Sequence, residues 1–247
     1  MRRPRLLFLS QFANPGSWNP QIWRRVLGHD DEAAAFEALL DSLGVLDGLD
    51  FAGCHAHMGA PLPDDLGAID AVVLGGSFAS VADAYPWQQA LQAWLLRWRA
   101  TGKPLMGICG GHQLMTVTLG GRVERSPAGP EVGSLPVTRT PAGRSHPLFA
   151  GFGDEAPFFF GNSDRVVEPS PGATVLATRP NLPAAALDHG GNWVSVQFHP
   201  ETTCDRMATC WAEIDAARGA AYHFIPGCER MILNYLRLAG VVGTVAA

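Results

Sequence analysis

The sequence is poor in charge. Only 17% of its 247 residues are charged, against roughly 25% in an average globular chain. Hydrophobic residues make up 47%, which excludes intrinsic disorder, since disordered chains combine few apolar residues with much charge. The net charge is −5 and the only basic cluster is Arg2, Arg3 and Arg5. The sequence therefore lacks the basic face that binds nucleic acid.

Paired cysteines and a signal peptide are also missing. The five cysteines lie at positions 54, 109, 204, 210 and 228, without the spacing of a disulfide framework or a zinc site, and this favours a cytoplasmic protein. His55 and His57 have no carboxylate near them in the sequence, so we expect neither a metal nor a cofactor. The apolar run after the N-terminal arginines is too short for a signal peptide.

One uncharged segment, Pro104 to Gly121, reaches the length of a transmembrane helix. It is rich in glycine and contains His112 and Gln113, which argues against contact with lipid, so we expect no membrane partner. The sequence has no glycine-rich phosphate-binding loop. A nucleotide-using synthetase half is therefore not expected in this chain.

Apolar runs alternate with amphipathic segments in the first half of the sequence. We predict buried strands at Leu6–Leu9, Ala71–Leu74 and Pro104–Ile108, and helices at Asp31–Leu43 and Pro86–Thr101. This alternation is typical of an α/β fold with a mostly parallel, doubly wound sheet flanked by helices. In such folds the binding loops lie at the carboxyl ends of the strands.

The sequence changes to a β-rich half after about Val123. Short strand candidates are separated there by turn residues and followed by helices. The predicted elements are strands at Leu135–Arg139, Phe158–Phe160, Thr174–Ala177, Ala184–Leu187 and Trp193–Phe198, and helices near Cys204–Arg218 and Cys228–Leu238. No internal repeat or low-complexity segment is visible, so we expect one domain over residues 1–247.

A candidate nucleophile lies in the uncharged segment, where residues 107–113 read GICGGHQ. A strand enters this motif and a helix leaves it, and the flanking glycines allow a sharp turn that presents the thiol of Cys109. A helix N-terminus favours the thiolate form of a cysteine. An isolated cysteine in a glycine-rich turn is more often structural, so the assignment depends on a partner motif.

The partner motif is QFHPE at residues 197–201, at the end of another predicted strand. In an extended chain His199 and Glu201 point to one side, so Glu201 can orient the imidazole of His199 toward Cys109. A third turn, LGGS at residues 74–77, follows the Ala71–Leu74 strand. We predict that the backbone N–H groups of Gly76 and Gly110 form an oxyanion hole.

These motifs together resemble those of the class I glutamine amidotransferases. That family has a Gly-x-Cys-x-Gly-x-Gln motif and a Gln-x-His-Pro-Glu motif, and both are intact here in the same order. The segment from Gly120 to Gly133 is similar to the freestanding relatives of the GMP-synthetase glutaminase domain. The resemblance runs from about Ala71 to Glu201, and it implies a flavodoxin-like sheet.

The resemblance also implies a mechanism. Cys109 would attack a γ-glutamyl carbonyl and form a thioester, His199 would relay protons, and Glu201 would orient His199. Gln113 would contact the amino-acid end of the substrate.

The same resemblance implies that a second segment binds the substrate. It comprises Gly161, Ser163 and Asp164, and at position 162 the family's usual histidine is replaced by Asn162. Contacts through backbone N–H groups survive this replacement, whereas any role of the imidazole is lost.

Several functions remain open from the sequence. As an amidotransferase subunit, the protein would release glutamate and ammonia from glutamine and pass the ammonia to a separate synthase. As a freestanding hydrolase, it would cleave γ-glutamyl peptides or conjugates without a partner. The complete triad disfavours an inactive scaffold or regulatory protein, and Glu201 disfavours an unrelated Cys–His hydrolase.

Four conspicuous features are expected to have other roles. His112 lies within the nucleophile motif and is interpreted as packing or polar support. The run Phe158–Phe160 is more typical of a core strand than of an aromatic platform. Trp18 and Trp23 follow the first strand, and surface packing is favoured over a lid or a partner-facing loop.

Overall fold

A nine-stranded sheet forms the centre of the molecule. The computed structural model describes residues 2–17, 19–27 and 31–243. The strands are β1 (Arg5–Ser10), β2 (Asp50–His55), β3 (Ala71–Leu74), β4 (Leu105–Ile108), β5 (Arg122–Arg125), β6 (Glu131–Arg139), β7 (Glu155–Asn162), β8 (Asp164–Glu168), β9 (Thr174–Arg179), β10 (Leu182–Asp188) and β11 (Trp193–Val196). The helices are α1 (Pro20–Leu27), α2 (Glu32–Ser42), α3 (Pro86–Ala100), α4 (Gly110–Thr118), α5 (Pro141–Ser145), α6 (Cys204–Ala212), α7 (Ala216–Gly219) and α8 (Arg230–Leu238).

The sheet has a parallel part and an antiparallel part. Its strand order is β2-β1-β3-β4-β11-β10-β9-β6-β7. Strands β2, β1, β3, β4 and β11 pair in parallel, whereas β10, β9, β6 and β7 continue the sheet with antiparallel pairs. Strands β5 and β8 form a separate two-stranded sheet. The predicted α/β class, with a doubly wound parallel sheet and a β-rich second half, is confirmed.

Both faces of the parallel sheet are buried, and β1 shows why. Alternate side chains of a strand point to opposite faces, so Leu6 and Phe8 pack into one core cluster while Leu7 and Leu9 pack into another. The second cluster includes Trp94 and Trp98 of α3, whose rings stack at 5.6 Å between centroids. A strand with two buried faces reads as a continuous apolar run, which made these strands predictable.

Helix α2 carries end signals that the sequence also shows. Asp31 accepts hydrogen bonds from the N–H groups of Ala33 and Ala34 at distances of 2.8 and 3.2 Å, and this caps the helix. Gly44 follows the last turn at φ +68°, a backbone conformation that glycine adopts without a steric penalty. These ends fix the position of Glu32 in the first turn of α2.

The structure corrects several predicted boundaries. The helical segment predicted near Cys204–Arg218 is divided into two helices, α6 and α7, with Asp215 capping α7. Strand β11 ends at Val196, two residues before the predicted end. No element was predicted for α1, β2, β5 or β8. Trp18 lies outside the described residues.

Two further findings concern membranes and metals. No helix in the described part of the chain is both long and apolar enough to cross a membrane. Within residues 2–17, 19–27 and 31–243, no group of three or more His, Cys, Asp or Glu side chains is placed to hold a metal ion.

Candidate active site

Three adjacent strands bring the predicted motifs together. Strands β3, β4 and β11 are neighbours in the sheet and run parallel, so their carboxyl ends meet at one edge. Gly76 follows β3, Cys109 follows β4, and His199 lies three residues after β11. A side chain built on Gly76 would lie 3.3 Å from the His199 ring and 3.9 Å from Cys109 Cβ. Gly76, Cys109 and His199 are therefore close neighbours at this edge of the sheet.

The backbone at Cys109 is held in an uncommon conformation. Its φ is +50° and its ψ is −102°, in a region that residues other than glycine rarely adopt. A Cβ on Gly107 would overlap Met115, and one on Gly111 would overlap the carbonyl oxygen of Leu74. Only glycine fits at these two positions, because Gly107 lies against the backbone carbonyl of Gly111 and Gly111 lies against the end of β3. The tight packing holds the Cys109 side chain at the sheet edge.

His199 is fixed by two hydrogen bonds. Its backbone N–H donates to the carbonyl of Phe159 at 2.8 Å, and its ring Nδ1 lies 2.7 Å from Glu201 Oε1. This leaves Nε2 as the ring nitrogen for proton transfer. Burial opposes the charged form of His199, but the charges of Glu201 and Cys109 outweigh it and raise the pKa of His199 well above its ordinary value.

A second set of hydrogen bonds involves Cys109. The side-chain amide of Gln197 donates to Cys109 Sγ at 3.6 Å. The amide nitrogen of Gln113 donates to Gln197 Oε1 at 3.1 Å and to the backbone carbonyl of Asp164 at 2.8 Å. Gln113 therefore links the nucleophile turn to the segment that contains Asp164.

A carboxyl group that the sequence analysis did not single out lies against Gly76, whose N–H is predicted to be part of the oxyanion hole. The N–H of Gly76 donates to Glu32 Oε1 at 3.1 Å, and the hydroxyl of Ser10 donates to Glu32 Oε2 at 2.8 Å. Burial raises the pKa of Glu32 to about 8, and the nearby charge of Glu201 adds to this effect. The carboxyl of Glu32 is therefore neutral at pH 7. No pattern in the sequence distinguishes Glu32 from other first-turn glutamates.

The hydrogen bond to Glu32 occupies one of the two N–H groups of the predicted oxyanion hole. In this conformation the Gly76 N–H donates to a side chain, so binding an oxyanion requires a local rearrangement. Gly110 is the first residue of α4, and a Cβ there would lie 2.6 Å from the backbone nitrogen of Ser77. The oxyanion assignment of Gly76 and Gly110 stays a prediction.

Two hollows meet at Cys109. The first, which we call the polar hollow, has a volume of about 320 Å³. Besides Cys109 it is lined by Gln113, Arg125, Asp164, Arg218 and residues 161–163, and by the apolar side chains of Phe78, Trp211 and Ile214. The Asp164 carboxylate accepts a hydrogen bond from Ser80 at 2.5 Å. Charges of both signs line this space, and the predicted substrate residues Gln113, Gly161, Ser163 and Asp164 lie in it together. Their binding role stays a prediction.

The second, which we call the apolar hollow, has a volume of about 100 Å³. Aromatic side chains from several parts of the chain form much of its wall, joined by Met207 and Glu32. They are Phe12, Trp23, Phe36, Phe78 and Trp211. His199 and Glu201 also line the apolar hollow, whereas neither is among the described residues that line the polar hollow.

His112 lies beside the nucleophile in sequence but points away from it. Its ring lies 2.7 Å from the hydroxyl of Ser195 and 3.0 Å from the carbonyl of Ala184. Burial lowers the pKa of His112 to about 3, so the ring is neutral. The structure thus agrees with the prediction of polar support. Phe158, Phe159 and Phe160 are at most 1% exposed, and the prediction of a core strand is confirmed.

Comparison with known proteins identifies the family. The model of the family described as glutamine amidotransferase class-I matches residues 57–213. The chain belongs to the class I glutamine amidotransferases. It is 34% identical over 176 residues to the glutamine-hydrolyzing GMP synthase of Aeropyrum pernix, an alignment that covers 66% of this chain and 33% of that protein. The chain thus spans about a third of the length of this relative.

A smaller relative and a solved structure agree with this assignment. The chain is 32% identical over 140 residues to a single subunit of the glutamine-hydrolyzing GMP synthase of Ignicoccus hospitalis, covering 56% of this chain and 70% of that protein. A glutamine amidotransferase from Thermotoga maritima has the same fold, with a TM-score of 0.68 at 19% identity over 98% of this chain and 95% of that one.

Proposed function

We propose that this amidotransferase-family chain hydrolyses a γ-glutamyl amide through a thioester on Cys109. The observation that supports this most is the meeting of Cys109 with the His199–Glu201 pair, whose Nδ1–Oε1 distance is 2.7 Å. Cysteine nucleophiles are activated by such a base, itself oriented by a third group. The polar hollow, with Asp164, Arg125 and Arg218, suits the charged ammonium and carboxylate of a γ-glutamyl group. We further propose that the chain forms a single domain.

The proposed reaction has two halves. The Cys109 sulfur attacks the γ-carbonyl carbon, the C–N bond breaks, and His199 delivers a proton to the leaving nitrogen. Water then attacks the thioester, His199 takes a proton from it, and glutamate leaves while the thiol is restored. We propose glutamine as a substrate, because relatives are named as glutamine-hydrolyzing enzymes. The released ammonia would pass to a separate synthase.

A second candidate is a freestanding γ-glutamyl hydrolase that needs no partner. The observation that favours it is the apolar hollow, because this space adjoins Cys109 and His199 and exceeds what the ammonia released from glutamine requires.

The nucleophile is tested by Cys109→Ala, with Cys54→Ala as the matched control. Cys54 is a buried cysteine on β2 and lines neither hollow. We expect Cys109→Ala to abolish glutamate release from γ-glutamyl amides and Cys54→Ala to retain it. A glutamine-like electrophile should add its mass to Cys109 alone. Undiminished release by Cys109→Ala would contradict the proposed mechanism.

A further inference from the structure

The two hollows at Cys109 differ in which of them contains the proton donor. Only the apolar hollow has His199 and Glu201 among the described residues of its wall. The leaving nitrogen must take a proton as the C–N bond breaks, and a general acid acts within hydrogen-bond reach of the atom it protonates. The leaving amine therefore departs on the side of the apolar hollow, while the acyl part lies in the polar hollow.

The walls of the apolar hollow indicate the chemistry of that amine. Trp23, Phe12 and Phe78 form one aromatic cluster, with centroid distances of 4.8 Å between Phe12 and Trp23 and 4.6 Å between Trp23 and Phe78. Trp211 of α6 lines the same space. Apolar surface binds apolar groups because both leave water. The charged side chains among the described lining residues are Glu201, which is paired with His199, and Arg206, whereas burial raises the pKa of Glu32 to about 8 and favours its neutral form.

The size and the opening of the hollow set limits on its occupant. Its volume is about 100 Å³, compared with about 150 Å³ for an engineered protein cavity that binds benzene. Phe78 is 52% exposed, so an occupant is not confined to the enclosed volume and extends past Phe78 toward solvent. Ammonia from glutamine needs none of this space.

We propose that the apolar hollow binds the amine half of a γ-glutamyl amide whose nitrogen carries a branched alkyl group or a single aromatic ring. This proposal rests on the proposed function and names its substrate class. Water is the co-reactant, and the products are glutamate and the free apolar amine. The C–N bond breaks as His199 protonates the nitrogen, and hydrolysis of the Cys109 thioester completes the reaction.

A series of γ-glutamyl amides that differ only in the amine tests the proposal. The series comprises glutamine and the methyl-, isobutyl- and benzylamides, and the readout is kcat/KM for glutamate release by the full chain. A pocket that binds one further methylene improves discrimination by about 10-fold or more. We therefore expect the isobutyl- and benzylamides to exceed glutamine by at least about 10-fold. Equal values of kcat/KM across the series, or the highest value for glutamine, would overturn the proposal.

Two phenylalanine variants locate the effect in the hollow. Phe78 lines both hollows, so the readout is a ratio of two amides with the same acyl half, which cancels any effect of Phe78→Ala on that half. Since Phe78 is half exposed, the variant should fold. Phe224→Ala is the matched control, because Phe224 is 77% exposed and lines neither hollow. We expect the ratio of kcat/KM for benzylamide to that for methylamide to fall about 10-fold in Phe78→Ala and to stay constant in Phe224→Ala. An unchanged ratio in Phe78→Ala counts against the proposal.

Labelling of Cys109 separates failure of this inference from failure of the proposed function. If glutamine is hydrolysed and depends on Cys109 while the series is flat, the leaving-group proposal is wrong and the proposed function stands. If the isolated chain cleaves no amide but a glutamine-like electrophile still labels Cys109, the leaving-group proposal is again overturned. If neither cleavage nor labelling of Cys109 occurs, both fail.

Discussion

The polar and apolar hollows differ in most of their walls but have some residues in common. The shared lining residues are Ser77, Phe78, Cys109, Gly161 and Trp211. The polar hollow is formed largely by loops and β-elements, including Arg125 of β5 and the turn between β7 and β8. The apolar hollow is formed largely by helices, with Trp23 from α1, Glu32 from α2 and Trp211 from α6. In the proposed reaction, the residues that the hollows do not share would select the acyl half and the leaving half of the substrate separately. Four predictions test that separation.

The largest effect is expected for His199→Asn. In the proposed reaction His199 supplies the proton to the leaving amine and takes one from water, so its loss should lower kcat/KM for every alkyl amide by about 10⁴-fold. A γ-glutamyl anilide should lose less, since an aryl amine is a better leaving group. His223→Asn is the control, because His223 is exposed and lines neither hollow. Equal losses for alkyl and aryl amides would place His199 outside the leaving-group step.

The next effect concerns the polar hollow alone. Asp164→Asn removes the carboxylate proposed to bind the substrate's ammonium group, and a hydrogen bond to a charged group contributes about 1.5–3 kcal/mol. We expect KM to rise by about 10- to 100-fold by the same factor for glutamine and for benzylamide. Asp41→Asn on the exposed face of α2 should leave KM unchanged. A change confined to large amides would show that the two hollows are not independent.

A smaller effect is expected from pH, through Glu32 in the apolar hollow. The folded pKa of Glu32 is raised to about 8, above its unfolded value, so the native state holds a proton that the unfolded state releases. Stability therefore falls as pH rises from about 4.5 to 8. In the Glu32→Gln variant the stability should not decrease over this pH range. The free energy of unfolding of this variant in urea should exceed that of the natural protein by on the order of 2 kcal/mol at pH 8.

The control for this variant is Glu37→Gln, an exposed position on the same helix, which should show the natural pH dependence. Above pH 8 the ionised Glu32 also places a charge in the apolar hollow. The preference for isobutylamide over methylamide should therefore decline there in the natural protein and persist in Glu32→Gln. A parallel decline in Glu32→Gln would assign the effect to another group.

The smallest effect is expected at the surface beside the apolar hollow. Arg25 of α1 and Glu213 after α6 form an ion pair at 2.5 Å, and both side chains are partly exposed. Exposed pairs contribute about 0–1 kcal/mol and are screened by salt. A double-mutant cycle with Arg25→Gln and Glu213→Gln should give a coupling below about 1 kcal/mol. A coupling of several kcal/mol would mean that the pair holds α1 against α6.

The strands that precede Cys109 and Gly76 were predictable, whereas helix α1 beside the apolar hollow was not. Strand β3 was predicted with its observed bounds, and β4 to within one residue, because strands buried on both faces appear as uninterrupted apolar runs. Helix α1 was not predicted, although Trp23 and Val26 pack into the core, because it is only eight residues long and follows a stretch rich in turn residues. Strands β5 and β8 were missed because they are only four and five residues long and β5 has no buried residue.

Sequence alone was enough to indicate the family and to propose Cys109, His199 and Glu201 as catalytic residues, because the two motifs that contain them are short and each follows a predicted strand. Tertiary structure alone showed that Glu32 lies against Gly76 and that Trp23, Phe78 and Trp211 meet beside His199. These residues are distant in the chain and ordinary in their local context. Their meeting is decided by how α1, α2 and α6 pack over the sheet edge, and packing of this kind has no local signature.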